Sequence, residues 1–93
     1  DIFSLGAALY EAVSGRRAFT GANEVDILHA VIHAMPPAVS RANKLAPHEL
    51  QWVIDKALAK DVAERYQTMR EFAADLRRLR RPDRKGVKQG GRG

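Results

Sequence analysis

Apolar residues recur at helical spacing in four stretches of this chain, separated by glycine, proline or polar runs. No stretch shows the two-residue alternation of a half-buried strand. Residues 1–15, DIFSLGAALYEAVSG, are apolar around most of a helical wheel. Leu5, Leu9, Ile2, Val13, Gly6, Tyr10 and Phe3 sweep round it with Ala8 and Ala12 beside them, leaving Ser4, Glu11 and Ser14 as a polar strip. A helix of that kind belongs in the middle of something. Asp1 falls on the wheel between Ala8 and Ala12, where a carboxylate needs hydrogen-bond donors from elsewhere. Gly15 is a helix stop, and RRAFTGAN reads as a loop ending in Asn23, which caps a helix over 23–34. Val25, Leu28, Ile32 and Met35 form one apolar stripe on it, and Pro36 and Pro37 end it.

Residues 36–46 look irregular. Pro47 suits the first turn of a third helix, 47–60, with Leu50, Val53, Ile54, Ala57 and Leu58 on its apolar face. That is the cleanest helical signal in the chain. KDVAERYQ reads as a short turn or kink. Thr68 and Glu71 make a capping box that opens a helix over 68–81, with Met69, Phe72, Ala73, Leu76 and Leu79 inward. Pro82 ends it, and residues 82–93 lack the apolar content to fold, so a disordered, basic, Gly-rich tail is expected. The predicted fold class is all-α, with about four helices.

Length sharpens the question raised by the first helix. A chain of 93 residues makes one domain and buries only about two-thirds of the surface its unfolded form exposes, so an all-round apolar helix is hard to cover. Aromatic residues are 6%, which leaves the core to Leu, Ile, Val and Ala. The absence of cysteine excludes disulfides and thiolate metal sites and fits a reducing compartment. No apolar run approaches the ~20 residues of a membrane span, and no signal peptide precedes the first helix. The expectation is a cytoplasmic segment. The net charge of +5 is uneven: from Arg77 onward eight basic residues face only Asp83, so residues 1–76 carry −2. The basicity is a tail on a near-neutral body.

Two separated motifs then converge. DIFSLGAALYEAVSGRRAFTG resembles the central helix and following loop of the large C-terminal lobe of protein kinases, with the pattern D-x-[WF]-S-x-G, a Y-E pair and G-x-x-P-F. LQWVIDKALAKDVAERYQTMREFAADL resembles the closing helices of that lobe, where K-D-P-x-x-R-[YF] is typical. The wording is most similar to eukaryotic-like serine/threonine kinases of bacteria. The resemblance implies that residues 1–81 are a partial kinase C-lobe whose parent transfers the γ-phosphate of ATP to Ser or Thr. It implies that Asp1 accepts hydrogen bonds from backbone amides of the catalytic loop. It also implies that Arg65 pairs with the glutamate of the A-P-E motif closing the activation segment, a partner suited to a planar guanidinium. Without those segments, Asp1 reads as an acid favoured by the helix macrodipole, and Arg65 as a solvated cation near Asp61. Val62 and Ala18 stand where the family has proline, which removes turn rigidity rather than chemistry, and Ala8 and Ala12 are smaller than the usual side chains.

What phosphoryl transfer needs is missing: no Gly-rich loop, strand lysine, H-R-D or D-F-G occurs. GVKQGGRG has neither a strand before it nor a helix after it and cannot cradle phosphates. The chain thus reads as the last third of a kinase domain, inactive alone, with no catalytic, cofactor or metal residues of its own; ATP and Mg belong to the intact parent. Its expected partners are the missing N-terminal part of the kinase and substrates or regulators docking on residues 23–60. His29 and His33 are four apart, but no third ligand accompanies them, and His48 is a first-turn residue. The alternative from another class is a nucleic-acid-binding helical module, with helices 47–60 and 68–81 as a helix-turn-helix and the tail on phosphates. Against it, the tail has no aromatic residue and the connection exceeds the usual turn. Weak, salt-sensitive binding of nucleic acid or anionic lipid by the tail, marginal stability and self-association through the exposed first helix complete the expectations.

Overall fold

The computed structural model describes residues 1–79. The residues from 80 on, including the expected tail and the end of the 68–81 helix, lie outside the described residues. Four α-helices run in order: α1 (Ile2–Ser14), α2 (Glu24–His33), α3 (His48–Ala57) and α4 (Met69–Leu79). Two short 3-10 helices, Val39–Arg41 and Val62–Glu64, lie before and after α3. There is no strand among the described residues. No helix of the described residues is long and apolar enough to cross a membrane.

The ends are set by local chemistry. The Asp1 carboxylate accepts the Ser4 N–H (2.8 Å) and caps α1. Gly15, at φ 75°, closes it with its N–H on the Glu11 carbonyl, a conformation that favours glycine. Asn23 caps α2 by accepting from the Asp26 N–H. Thr68 accepts from the Glu71 N–H (3.1 Å), as the capping box requires, but the Glu71 side chain returns to the Gln67 N–H (3.0 Å), one residue earlier than in the usual box.

The hub of the described residues is α3, not α1. One buried cluster joins Ile54 and Leu58 to Tyr10 of α1 and Val39, with Phe3, Ala7, Val13, Phe19 and Leu50 around it. A second joins Val53 and Ala57 to Tyr66 and Phe72, backed by Ile2, Leu76 and Leu79. Leu9 packs against both. Helices α1 and α3 meet closely: a Cβ on Gly6 would sit 2.7 Å from that of Ala57, so only glycine lets the backbones approach this far.

On α1 the covered residues are Ile2, Phe3, Gly6, Ala7, Leu9, Tyr10, Val13 and Ser14, while Asp1, Ser4, Leu5, Ala8, Glu11 and Ala12 are exposed. At 100° per residue the exposed set fills one continuous arc of about 120°. Ser4 and Glu11 of the expected polar strip make up one side of it, Ser14 being partly covered, and the larger side is Ala8, Asp1, Ala12 and Leu5. Beside that larger side, Leu5 and Leu9 with Met69, Phe72, Ala73 and Leu76 line an open apolar groove of about 190 Å³ between α1 and α4.

Three sequence expectations need correction. Residues 36–46 contain a 3-10 turn whose Val39 is buried. It is pinned by long-range bonds: Tyr10 Oη to the Pro37 carbonyl (2.7 Å), Val39 N–H to Gln51 Oε1 (2.8 Å) and Asn43 Nδ2 to the Val13 carbonyl (3.0 Å). Met69, expected inward, is half exposed at the rim of the groove. The apolar stripe of α2 faces solvent, with Val25 74%, Leu28 59%, Ile32 53% and Met35 48% exposed. The side of α2 that is partly covered carries Ile27, Ala30 and Val31 instead, because this helix rests beside the α1–α3 pair rather than on it.

Candidate functional site

The chemistry of the described residues concentrates where the start of α1, the end of α2 and the turn after α3 converge. Phe3 stacks on Phe19 from the RRAFTG loop, with ring centroids 5.6 Å apart and planes 14° from parallel. Two cations lie against this aromatic pair. Lys60 Nζ is 4.6 Å from the Phe19 centroid and 5.6 Å from that of Phe3, and the Arg65 guanidinium carbon is 5.2 Å from the Phe3 centroid. The negative faces of the rings stabilise both charges. Lys60 also donates to the Val31 carbonyl (2.6 Å), and Arg65 Nε donates to the Ala59 carbonyl (3.0 Å). The 3-10 turn Val62–Glu64 holds the pair in place. Asp61 caps that turn by accepting from Ala63 N–H (2.9 Å), and Gln67 Nε2 donates to the carbonyls of Val62 and Arg65.

Phe3, Val31, Ile32, Lys60 and Arg65 line an open cavity of about 270 Å³. No carboxylate lines it. Among the described residues the terminal nitrogens of Arg65 have no hydrogen-bond partner, and Asp61 is occupied with its own turn rather than with Arg65. The lone ion pair among the described residues joins Asp75 and Arg78 on α4. Burial and, secondarily, the charge of Arg65 lower the pKa of Lys60 from its usual value. The cavity is therefore electrostatically unbalanced, with two cations and apolar walls, and what would balance it is an anion presented with an apolar stem.

Of the residues singled out from the sequence, Arg65 sits in this cavity. Asp1 sits at the exposed head of α1, with one carboxylate oxygen on the Ser4 N–H and the other free of protein partners among the described residues. Lys60 opens the same K-D-P-x-x-R-[YF] element but was given no role of its own, because the motif does not say what its ammonium touches; that depends on Phe19 and Val31, which lie far away in sequence. The His29 and His33 rings lie against each other, tilted by 46° with centroids 4.5 Å apart. No group of three metal-ligating side chains occurs among the described residues. The connection from Leu58 to Thr68, with its own 3-10 turn, is too long for the compact turn of a helix-turn-helix.

This geometry, an arginine with an open end beside the head of a largely apolar helix, is also where the two sequence motifs meet. No family model matches the chain. Individual relatives do. It is 35% identical over 89 residues to the serine/threonine-protein kinase PrkC of Bacillus subtilis, covering 96% of this chain and 14% of the relative. It is 38% identical over 79 residues to the serine/threonine-protein kinase PknB of Mycobacterium tuberculosis, covering 85% of this chain and 13% of the relative. A probable serine/threonine-protein kinase of Clostridium perfringens is 37% identical over 83 residues.

The chain is homologous to bacterial serine/threonine protein kinases. It spans about one-eighth to one-seventh of the length of these curated relatives. The homology runs through both motifs and through α2 and α3 between them, so the all-helical arrangement described above is that of a kinase-derived segment.

Proposed function

We propose that this chain is the closing helical section of a serine/threonine protein kinase domain, whose intact form transfers the γ-phosphate of ATP to Ser or Thr of proteins, and that its own part in the reaction is positional. Residue similarity to the kinases named above along nearly the whole chain supports the family. The observation that carries the positional role is the open end of Arg65 in a cationic, carboxylate-free cavity. In this reading the glutamate that closes the activation segment enters the cavity and pairs with Arg65, fixing the segment that receives the substrate. Asp1 keeps one oxygen on its helix cap and offers the other to backbone amides of the catalytic loop, which lies along the exposed Ala8–Asp1–Ala12–Leu5 strip. ATP and magnesium are held by parts of the kinase outside these residues, because the phosphate- and metal-binding motifs of phosphoryl transfer do not occur in this sequence.

Two assays test this. The chain alone, given ATP, magnesium and a generic protein substrate, is expected to transfer no phosphate above a no-protein control; transfer would refute the positional reading. A chimera in which the chain replaces the matching section of PknB is expected to phosphorylate substrate, and Arg65→Gln or Asp1→Asn in that chimera to lower kcat/KM by about tenfold or more. Hydrogen bonds to charged groups contribute about 1.5–3 kcal/mol, and 1.4 kcal/mol is about a factor of ten in rate. Unchanged kcat/KM in both variants would remove the assigned roles.

A further inference from the structure

Lys60 faces two ways. Its Nζ donates to the carbonyl of Val31, a residue in the last turn of α2, where the final carbonyls of a helix lack intrahelical donors. The Ala34 N–H satisfies the carbonyl of Ala30, and Lys60 supplies the donor for Val31, with its charge at the negative end of the helix dipole. No residue of α2 is buried, so this bond, reaching across the sequence from the turn after α3, is a principal tether of the helix. An ammonium has three donors. One is on Val31, and the others are left for the cavity that Lys60 shares with Arg65, Phe3 and Ile32.

We propose that Lys60 couples occupancy of this cavity to the anchoring of α2: a carboxylate taken up beside Arg65 also accepts from Lys60, and the ammonium so held clamps the last turn of α2 through the Val31 carbonyl. The proposal rests on the reading of the cavity as a carboxylate receptor. With the cavity empty of anions the two cations repel, and Lys60 loses charge more readily than usual, by burial and by the charge of Arg65. A carboxylate between them cancels that repulsion and strengthens the charge-assisted bond to Val31. Coupling of this kind is reciprocal: a partner that holds α2 in place also holds Lys60 in place and tightens the grip on the carboxylate. Ile32 belongs both to the cavity wall and to the exposed stripe of α2, so the two surfaces share a side chain as well as a tether.

The test uses the isotopically labelled 93-residue chain at low salt, titrated with acetyl-Ala-Pro-Glu-amide and with its glutamine isostere. Backbone amide shifts and amide hydrogen exchange are read together. The glutamate peptide is expected to move the amides of residues 59–66 and 31–34 along one binding curve, and to slow exchange in the last turn of α2 by about fivefold, the low end of ordinary coupling. The glutamine peptide is expected to do neither. In Lys60→Met, residues 61–66 still respond while 31–34 do not. Shifts near Arg65 with α2 unmoved in the unsubstituted chain, or an α2 response unchanged in Lys60→Met, would overturn the coupling and leave the carboxylate reading standing. Identical behaviour of the two peptides would overturn both.

Discussion

Gly6 and Tyr66 show how single atoms carry this fold. A methyl group at position 6 would meet Ala57 Cβ at 2.7 Å and Leu58 Cδ2 at 3.3 Å. Both neighbours are fully buried in α3 and its cap, with no room to retreat. Gly6→Ala is therefore expected to destabilise the chain by about 1–3 kcal/mol, the usual cost of overpacking, despite the better helix propensity of alanine; chemical denaturation measures it. Tyr66 packs its ring against Phe72, tilted by 31° with centroids 5.2 Å apart, lies under the Lys56 ammonium (4.6 Å) and donates to Asp75 Oδ2 at 2.7 Å. Burial first, and then the bond to Asp75, raise its pKa well above the usual 10.0. The raised folded-state pKa means that Tyr66 contributes stability fully present below pH 10.0 and lost as the pH climbs from there toward the folded value. Lys60, with a lowered pKa, acts in the opposite sense near the same pH. The comparison of wild type with Tyr66→Phe isolates the tyrosine: the variant is expected to be less stable by about 1 kcal/mol at neutral pH, with the difference shrinking above pH 10.0. A constant difference across that range would contradict the account.

At the scale of elements, Val62 begins the 3-10 turn that separates Lys60 from Arg65. Its N–H makes no hydrogen bond among the described residues, and Asp61 before it is extended, at φ −80° and ψ 120°. That backbone accepts proline at the next position, so Val62→Pro is expected to stabilise by about 0.4–1 kcal/mol, seen as a raised Tm. The legibility of the elements follows from how local their causes are. Helix α3 was readable because Leu50, Val53, Ile54, Ala57 and Leu58 repeat at helical spacing on a face covered from two sides. Caps at Asn23 and Thr68 were readable because capping is settled within three residues. The turn at Val39–Arg41 was not, since Val39 is buried by Tyr10, Ile54 and Leu58, far away in the chain. Helix α2 shows the opposite error: its stripe is periodic, yet periodicity tells only that a helix has an apolar face, not that these residues cover it. Arg65 could be given a partner from its motif, whereas Lys60, in the same motif, needed the fold to show what it touches.

For the molecule as a whole, the balance of covered and exposed apolar surface sets its behaviour. Leu5, Ala8 and Ala12 on α1, the groove they adjoin, and Val25, Leu28, Ile32 and Met35 on α2 present two apolar areas to water, of the kind that mark interaction sites. Self-association is the expected outcome at high protein concentration. Sedimentation velocity should show a concentration-dependent mean mass that Leu5→Glu and Leu28→Glu together abolish; a monomer at all concentrations would show that these surfaces tolerate water. Trp52 and Leu45, 74% and 91% exposed, stand apart from both areas and serve as controls: charged substitutions there should leave the mass unchanged.

The fit of Gly6 against Ala57 also has a consequence in time. Its two halves are about fifty positions apart, and a ribosome adding about 5–20 residues per second takes about 3 to 10 seconds to deliver the second after the first. Over a delay of that length α1 cannot dock on α3, and once it has left the ribosome its apolar side is open to chaperones, to proteases and to other nascent chains until α3 follows.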